Sequence, residues 1–348
     1  MKILVTGACG FAGSTITAEL LSRREGLTII GVDNFSRPGS ELNRTVLKRL
    51  GVRLHHLDMR SASDFEAQEP VDWVIDAAAN PSVLAGASAG VSSRQALEHN
   101  LLGTVNLLEY CKRAKAGFIL LSTSRVYSVT ALTSLKLAVK NDAYRLLPQT
   151  VAGVTAQGIT ECFSTQPPVS LYGVAKSASE LLAIEYGNAF TFPTYINRCG
   201  VMAGAGQFGK PDQGIFSFWI HSYCRRRPLK YIGFNGHQVR DCLHPADLVT
   251  VLLKQMTGQR GPMICNFGGG MKSSMSLRQL SSWCQQRFGP HKIGMVKTQR
   301  PFDVPWLVLD ISLAQSGWNW RPHRPIESIL NEIADHAESH PDWLEISR

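Results

Sequence analysis

A short apolar run, Lys2-Ile3-Leu4-Val5-Thr6, leads directly into Gly7-Ala8-Cys9-Gly10-Phe11-Ala12-Gly13, and this junction limits the fold more than any other stretch of the chain. The glycines are spaced G-x-x-G-x-x-G, and Phe11, Ile16, Leu20 and Leu21 then recur at helical intervals. Strand, glycine turn and helix in that order place a helix N-terminus against an anion, where free N–H groups and the positive dipole end favour negative charge. Glycine is required where a side chain would block a pyrophosphate or hold the helix off the strand. The order predicts a dinucleotide site at Gly7, Gly10, Phe11, Ala12 and Gly13.

The next apolar run, Thr28-Ile29-Ile30-Gly31-Val32, ends at Asp33, 20 residues beyond Gly13. An acid at that distance is expected to bond the adenosine ribose hydroxyls and to repel a 2′-phosphate, so NAD is favoured over NADP. Asn34, Ser36 and Arg37 follow and are assigned to the same side. Arg37 leaves two readings open, since an arginine here can hold a 2′-phosphate or serve as a loop residue or a partner of the NAD pyrophosphate or ribose. Val52-Arg53-Leu54-His55-His56-Leu57-Asp58 reads as a third strand, with Asp58 and Met59 as candidate adenine contacts. A fourth, starting Trp73-Val74-Ile75-Asp76, ends in Ala77, Ala78 and Ala79, small enough for close approach of the cofactor or simply for packing. Ser122 and Cys199 complete the predicted cofactor set.

A fifth strand, Phe118-Ile119-Leu120-Leu121-Ser122, runs into Thr123-Ser124-Arg125. Later, Tyr172 and Lys176 stand four residues apart, which puts them on one face of a helix. A tyrosine gives up its proton only near pH 10 when free. A nearby ammonium favours the phenolate and makes it a usable base for a sugar hydroxyl. Thr123, from another strand, would share the substrate's hydrogen bond. The catalytic set read from these residues is Thr123, Tyr172 and Lys176.

Composition narrows the setting. No apolar run is long enough to span a membrane, and the N-terminus lacks the pattern of a signal peptide, so a cytoplasmic protein is expected. The eight cysteines form no C-x-x-C pair. His221, His237 and His244 have no trusted ligand spacing, and no metal is expected. The net charge of +9 admits nucleic-acid binding, but the densest basic cluster is only Arg225-Arg226-Arg227. A basic surface serving an anionic small-molecule substrate is the preferred reading, with no nucleic-acid partner.

The glycine loop, the Ser122-Thr123 strand end, Tyr172-x-x-x-Lys176 and the run Asn100-Leu101-Leu102-Gly103-Thr104-Val105-Asn106-Leu107-Leu108-Glu109 together resemble the extended short-chain dehydrogenase/reductases, the nucleotide-sugar epimerases and dehydratases. The resemblance covers nearly the whole chain. It implies an isomerase that retains NAD, a supporting role for Asn100, a bond from Lys176 to the nicotinamide ribose, and a homodimer or higher homo-oligomer. Dehydratases of the family carry Asp-Glu just after the catalytic threonine. Ser124 and Arg125 stand there instead, which favours reversible oxidation and reduction over elimination.

The second half is similar to the branch that inverts C2 of CDP-linked 3,6-dideoxyhexoses. The blocks that carry this are Asn197-Arg198-Cys199-Gly200-Val201, Gln207-Phe208-Gly209-Lys210-Pro211-Asp212-Gln213-Gly214, Tyr231-Ile232-Gly233-Phe234, Gly236-His237-Gln238-Val239-Arg240-Asp241-Cys242-Leu243-His244, Asn266-Phe267-Gly268-Gly269-Gly270 and Arg300-Pro301-Phe302-Asp303-Val304-Pro305-Trp306. A CDP-hexose substrate is therefore favoured. Epimerisation at C4 of a UDP-hexose or UDP-hexuronate stays open, because it uses the same machinery. A dinucleotide-sensing protein without activity is a third reading, but such proteins usually lose the Tyr/Lys pair. Arg240 is assigned to the diphosphate, whose paired oxygens suit a guanidinium fork. Arg300 and Asp303 are assigned to the nucleotide end. Thr123, Ser124, Lys210 and Gln213 complete the substrate set. Many relatives place an asparagine where this chain has Val201. The long connection 128–168 is expected to cover or shape the sugar pocket, or else to be a surface insertion.

Strand–helix alternation in the first half implies a doubly wound, parallel α/β Rossmann sheet with a smaller, interleaved C-terminal substrate lobe. The cofactor domain is expected over 1–198 with 243–268 returning to it, and the substrate lobe over 199–242 and 269–348.

Overall fold

The structure is a computed structural model that describes residues 1–84, 86 and 92–347. Its centre is a seven-stranded sheet. The strands are β1 (Lys2–Thr6), β2 (Thr28–Asp33), β3 (Arg53–His56), β4 (Trp73–Asp76), β5 (Gly117–Thr123), β6 (Thr194–Cys199) and β7 (Ile264–Phe267). They lie in the order β7-β6-β5-β4-β1-β2-β3, and every pairing is parallel. The order reverses between β1 and β4, the switch point where ligands bind in open α/β sheets.

Side-chain alternation explains why both faces are covered. Ile3, Val5, Ile29, Ile75 and Ile119 point to one face, where helix α1 (Phe11–Arg23) packs Ile16 and Leu20. Leu4, Ile30, Val74 and Phe118 point to the other, where α2 (Gly103–Ala114) packs Leu107, Leu108 and Tyr110. A parallel sheet buried on both faces needs such continuous apolar strands. The third helix that matters to the site, α3 (Leu171–Phe190), packs against the second face through Ala183.

After Cys199 the chain leaves the sheet. Val201–Met202, Val239–Leu243, Ser274–Ser276 and Trp306–Leu307 form a small four-stranded sheet. Helices Ile215–Cys224, Leu277–Phe288 and Ile326–Ser339 close a core around it through Phe216, Trp219, Leu280 and Ile329. Between these segments the chain returns to the main sheet with helix Val249–Met256 and β7. One part of 269–348 departs from the expected division. Ala314, Trp318 and Trp320 belong to the core of the large sheet, where Trp318 meets Tyr195 edge-on. Large indole surfaces stabilise most where they cover an apolar sheet face, and this one was available.

The connection 128–168 also differs from expectation. It forms helix Val129–Thr133 and two short hairpins. Its residues pack on Val304, Trp306, Leu307 and Leu309. The Ile159 N–H donates to the Val308 carbonyl at 2.9 Å and the Asp310 N–H donates to the Ile159 carbonyl at 2.9 Å. Tyr144 and Ser276 tie the first hairpin to the substrate lobe through His237 and Asp142. The segment is a brace between lobes, and none of its residues lines the cavity described below.

The basic run 225–227 is consumed structurally. Arg225 bonds the Ala337 carbonyl at 2.7 Å, Arg226 bonds the Pro290 carbonyl at 2.6 Å, and Arg227 pairs with Glu345. The first two guanidiniums sit at or just past helix C-termini, where carbonyls lack partners and positive charge is favoured. Among the described residues, no helix is long and apolar enough to cross a membrane.

Candidate active site

A cavity of about 850 Å³ lies between the lobes at the C-terminal ends of β1, β2, β4, β5 and β6. That is near the upper end of the size range of ligand sites. Gly7, Gly10, Phe11, Ala12 and Gly13 line one end. A Cβ on Gly13 would stand 2.1 Å from the Gly7 carbonyl oxygen, so the helix can start this close to the strand only with glycine there. Gly7 has φ +57°, and a Cβ on it would strike Ala78 Cα at 2.8 Å. The alanine run therefore has a packing reason as well as a position on the cavity wall. It is held by Thr6, whose Oγ1 accepts from the N–H groups of Ala77 and Ala78 at 3.1 Å each and donates to Asp76 at 2.8 Å.

Asp33 lines the same end. Its carboxylate accepts from the N–H of Cys9 at 2.9 Å and of Phe35 at 2.8 Å. Burial raises its pKa, and these backbone donors oppose the rise. Asn34, Ser36 and Arg37 also line the cavity. Arg37 does not turn toward Asp33. Its guanidinium bonds Gln213 Oε1 at 3.0 Å and the Phe208 carbonyl, which fastens the cofactor side to the loop 207–214.

Asp58 and Met59 are not brought to the cavity wall. The Asp58 carboxylate is clasped by Arg60, with the closest contact at 2.6 Å, and accepts from Asn34 Nδ2 at 3.2 Å. The Arg60 bonds hold it well below the usual carboxylate range. Met59 packs against Gly103, and its carbonyl accepts from Asn106 at 2.7 Å. Asn100 is buried behind the wall, exchanging two bonds with the backbone of Asn80, which lines it, at 2.8 and 3.1 Å.

The reacting end gathers Ser122, Thr123, Ser124, Arg125, Tyr172 and Cys199. Helix α3 begins with Ser170, whose Oγ accepts from the Gly173 N–H at 3.1 Å. Tyr172 is thus held in the first turn and lines the cavity, whereas Lys176, one turn on, is fully buried behind the wall. Further along the same helix, Glu180 forms a buried ion pair with Arg198 at 2.7 Å and accepts from Ser122. This pair ties the helix to β5 and β6, so the tyrosine is set against the strand ends by a rigid frame. The Thr123 Oγ1 accepts from the Arg125 N–H at 3.1 Å, which leaves its own proton to donate into the site. Burial pushes Tyr172 up to about 12, while the Thr123 hydroxyl and the Arg125 charge act to lower it. Burial also pushes Cys199 up to about 12, so it stays a neutral thiol.

Lys210, Gln213, Arg240, Arg300 and Asp303 line the cavity on the side of the C-terminal lobe, and Val201 lines it too. Arg240 is buried and pairs with Asp303 at 2.7 Å, and it donates to the carbonyls of Val239 and Val304. Three of its five N–H groups are used, and two remain for a ligand. Arg300 bonds the Pro211 carbonyl at 2.6 Å. Gln207 and Gln238 also line the wall, each with a buried side-chain oxygen that lacks a hydrogen bond. Both lie in the segments 207–214 and 236–244, but neither residue carries a spacing signal of its own. Among the described residues, no cluster of ligating side chains could hold a metal ion.

Residues 3–268 match the model of the NAD dependent epimerase/dehydratase family. The chain belongs to that family. Its cofactor is NAD, and the glycine cradle, Asp33 and the small Ala77–Ala79 edge fit that group. Among curated relatives, CDP-paratose 2-epimerase of Salmonella typhi is 31% identical over 97% of this chain and 100% of its own length. UDP-glucose 4-epimerase of Caenorhabditis elegans is 27% identical over 98% and 99%. Among solved structures, UDP-glucuronic acid 4-epimerase of Bacillus cereus, in complex with UDP-glucuronic acid and NAD, matches with a TM-score of 0.77 and 26% identity, covering 97% of this chain and 99% of that one. The relatives of 25% identity or more named above are all nucleotide-sugar epimerases, and the chain is an isomerase of that kind.

Proposed function

We propose that this epimerase inverts C2 of a CDP-linked 3,6-dideoxyhexose, interconverting CDP-paratose and CDP-tyvelose. The observation that carries the chemistry is the meeting of Thr123 and Tyr172 at one end of the cavity with no carboxylic acid at positions 124 and 125. A tyrosine and a hydroxyl can exchange one proton with a sugar oxygen, and positions 124 and 125 offer no carboxylic acid to protonate a leaving hydroxyl. The C2 and CDP assignments rest on the full-length similarity to CDP-paratose 2-epimerase.

In this reading the Tyr172 oxygen takes the proton of the C2 hydroxyl, and Thr123 donates a hydrogen bond to the same oxygen. Bound NAD supplies a reversible hydride acceptor and a positive charge beside Tyr172. Its pyrophosphate would rest on the glycine loop, its adenosine ribose on Asp33 and its nicotinamide ribose on Lys176, with Asn34, Ser36, Ala77, Ala78, Ala79, Ser122 and Cys199 around it. Arg240, with Arg300, holds the diphosphate. The oxidised sugar then turns about its phosphate linkage to present the opposite face, and Tyr172 returns the proton. Lys210, Gln213, Ser124 and Asp303 complete the substrate wall. A homodimer is the expected assembly.

A second reading, 4-epimerisation of a UDP-sugar, is supported by the full-length match to UDP-glucose 4-epimerase. Incubation with CDP-paratose, UDP-glucose and UDP-glucuronic acid in turn, read by NMR, separates the two. CDP-tyvelose from the first and no product from the others is the expected result. A 4-epimer from either UDP-sugar with CDP-paratose unchanged rejects the C2 reading.

A further inference from the structure

The loop 207–214 stands on two fixed feet. At the first, the Gln207 carbonyl accepts from Trp343 Nε1 at 2.9 Å and from Ser217 Oγ at 3.0 Å, and the Gly209 carbonyl accepts from Ser347 Oγ at 3.0 Å. The second is Gly214, with φ +70°, which caps helix Ile215–Cys224. The tip between them is closed on itself, because Lys210 and Gln213 exchange backbone bonds at 2.8 and 3.1 Å. Among the described residues, three hydrogen bonds join this tip to the rest of the molecule. Arg37 donates to Gln213 Oε1 at 3.0 Å, Ser82 Oγ donates to Asp212 Oδ2 at 2.5 Å, and Arg300 donates to the Pro211 carbonyl at 2.6 Å.

The sheet order decides where these bonds stand. β1 lies between β2 and β4. Arg37 follows β2 and Ser82 follows β4, so the two residues flank the glycine loop at the end of β1. The tip is bonded to both flanks at once, through Gln213 on one side and Asp212 on the other, and to the C-terminal lobe through Pro211. Glycine loop and tip line the same cavity. A pyrophosphate seated on the glycine loop is therefore crossed by the tip.

We propose that 210–213 is a strap over the cofactor, latched by Ser82 on one side of the glycine loop and by Arg37 on the other, and that NAD exchanges only when both latches open. The inference goes beyond the choice of sugar, and it rests on the seating of the pyrophosphate on the glycine loop. Each latch joins two protein groups, so it holds the strap shut before the dinucleotide enters as well as after. Ser82 is buried and does not line the cavity, so it acts through Asp212 as a positioning residue. Lys210 and Gln213 also belong to the substrate wall proposed above, so closing on the cofactor and completing that wall are one movement. A cofactor that is reduced and reoxidised within one turnover needs such retention, since its loss midway would strand an oxidised sugar in the site. One hydrogen bond contributes little net, so the strap opens by local fluctuation, and removing one latch should speed opening about tenfold.

Exchange of labelled NAD from the purified holoenzyme into excess unlabelled NAD, with no sugar present, measures that opening. Ser82→Ala and Gln213→Ala should each exchange about tenfold faster than the wild type, and the double variant faster than either. Because a latch resists entry as much as exit, the free NAD concentration that half-fills the site should shift by less than about twofold. Unchanged exchange in either single variant would overturn the proposal. So would faster exchange matched by an equal loss of affinity, which is the behaviour of a damaged binding site and not of an opened strap. No sugar enters this measurement, so its outcome is separate from the incubations with CDP-paratose and the UDP-sugars that decide the reaction.

Discussion

The cavity wall assigned to the dinucleotide and the wall assigned to the sugar nucleotide are built from different kinds of sequence. The first comes from strand ends in chain order, 7–13, 33–37 and 77–79, each set by the strand before it. Its close contacts are backbone against backbone, as at Gly7, Gly13 and Ala78. The second is assembled from 207–214, 238–240 and 300–303, which meet only because the C-terminal lobe folds back. Its central contact joins Arg240 to Asp303 across 63 residues of chain. A wall made of backbone tolerates few residue types and reads alike throughout a family. A wall made of long side chains on separate segments can change one contact at a time.

The contrast can be broken most sharply at the junction, where Tyr172 belongs to neither wall. Tyr172→Phe should lower epimerisation about 100- to 10,000-fold, the range of a single acid–base group, while the purified protein keeps its NAD. Near-full turnover by this variant would remove the catalytic assignment. On the substrate wall, Asp303→Ala leaves the buried Arg240 charge without its partner. A loss of roughly 3–5 kcal/mol in chemical denaturation is expected, with NAD content unaffected in the fraction that folds. A change below about 1 kcal/mol would mean that the pair behaves as a solvent-exposed one.

On the cofactor wall, Gly13→Ala forces a methyl group against the Gly7 carbonyl. Stability should fall by about 1–3 kcal/mol, and NAD content should fall with it. Retention of full NAD content would show that the glycine is not needed for close approach.

A further effect, confined to acid pH, lies away from both walls. His221 is 1% exposed and stands against His336, with ring nitrogens 3.3 Å apart. Burial pushes its pKa down to about 3. It is therefore neutral in the fold and takes up a proton only on unfolding. Its contribution is complete above its free pKa near 6.5 and declines as pH falls toward 3. Between pH 6.5 and 5 that amounts to about 1.6 kcal/mol, which His221→Gln should remove from the pH dependence of unfolding. An unchanged slope would place the acid sensitivity elsewhere.

The same division governs what the sequence made legible. The glycine loop, Asp33 and the Tyr172–Lys176 spacing are local signals, because strand, turn and helix periodicities carry them over a few residues. Arg240 and Asp303 each stood out, but their pairing did not, since nothing local links them. Asp58 looked like an adenine ligand by its place at a strand end. Arg60, two residues on, holds its carboxylate outside the cavity. The segment 128–168 gave only its length, and its apolar residues found a partner in 304–309, far along the chain. The run 225–227 suggested a basic patch, but carbonyls past helix ends and Glu345 occupy it.

In the proposed reaction one carbon of the sugar is oxidised and re-reduced inside a closed site. CDP-paratose deuterated at C2, incubated with the NAD-loaded protein in ordinary water, tests it directly. The expected product is CDP-tyvelose with the deuterium still at C2, with no build-up of reduced cofactor. Loss of the label to water, or release of reduced cofactor in step with product, would contradict it.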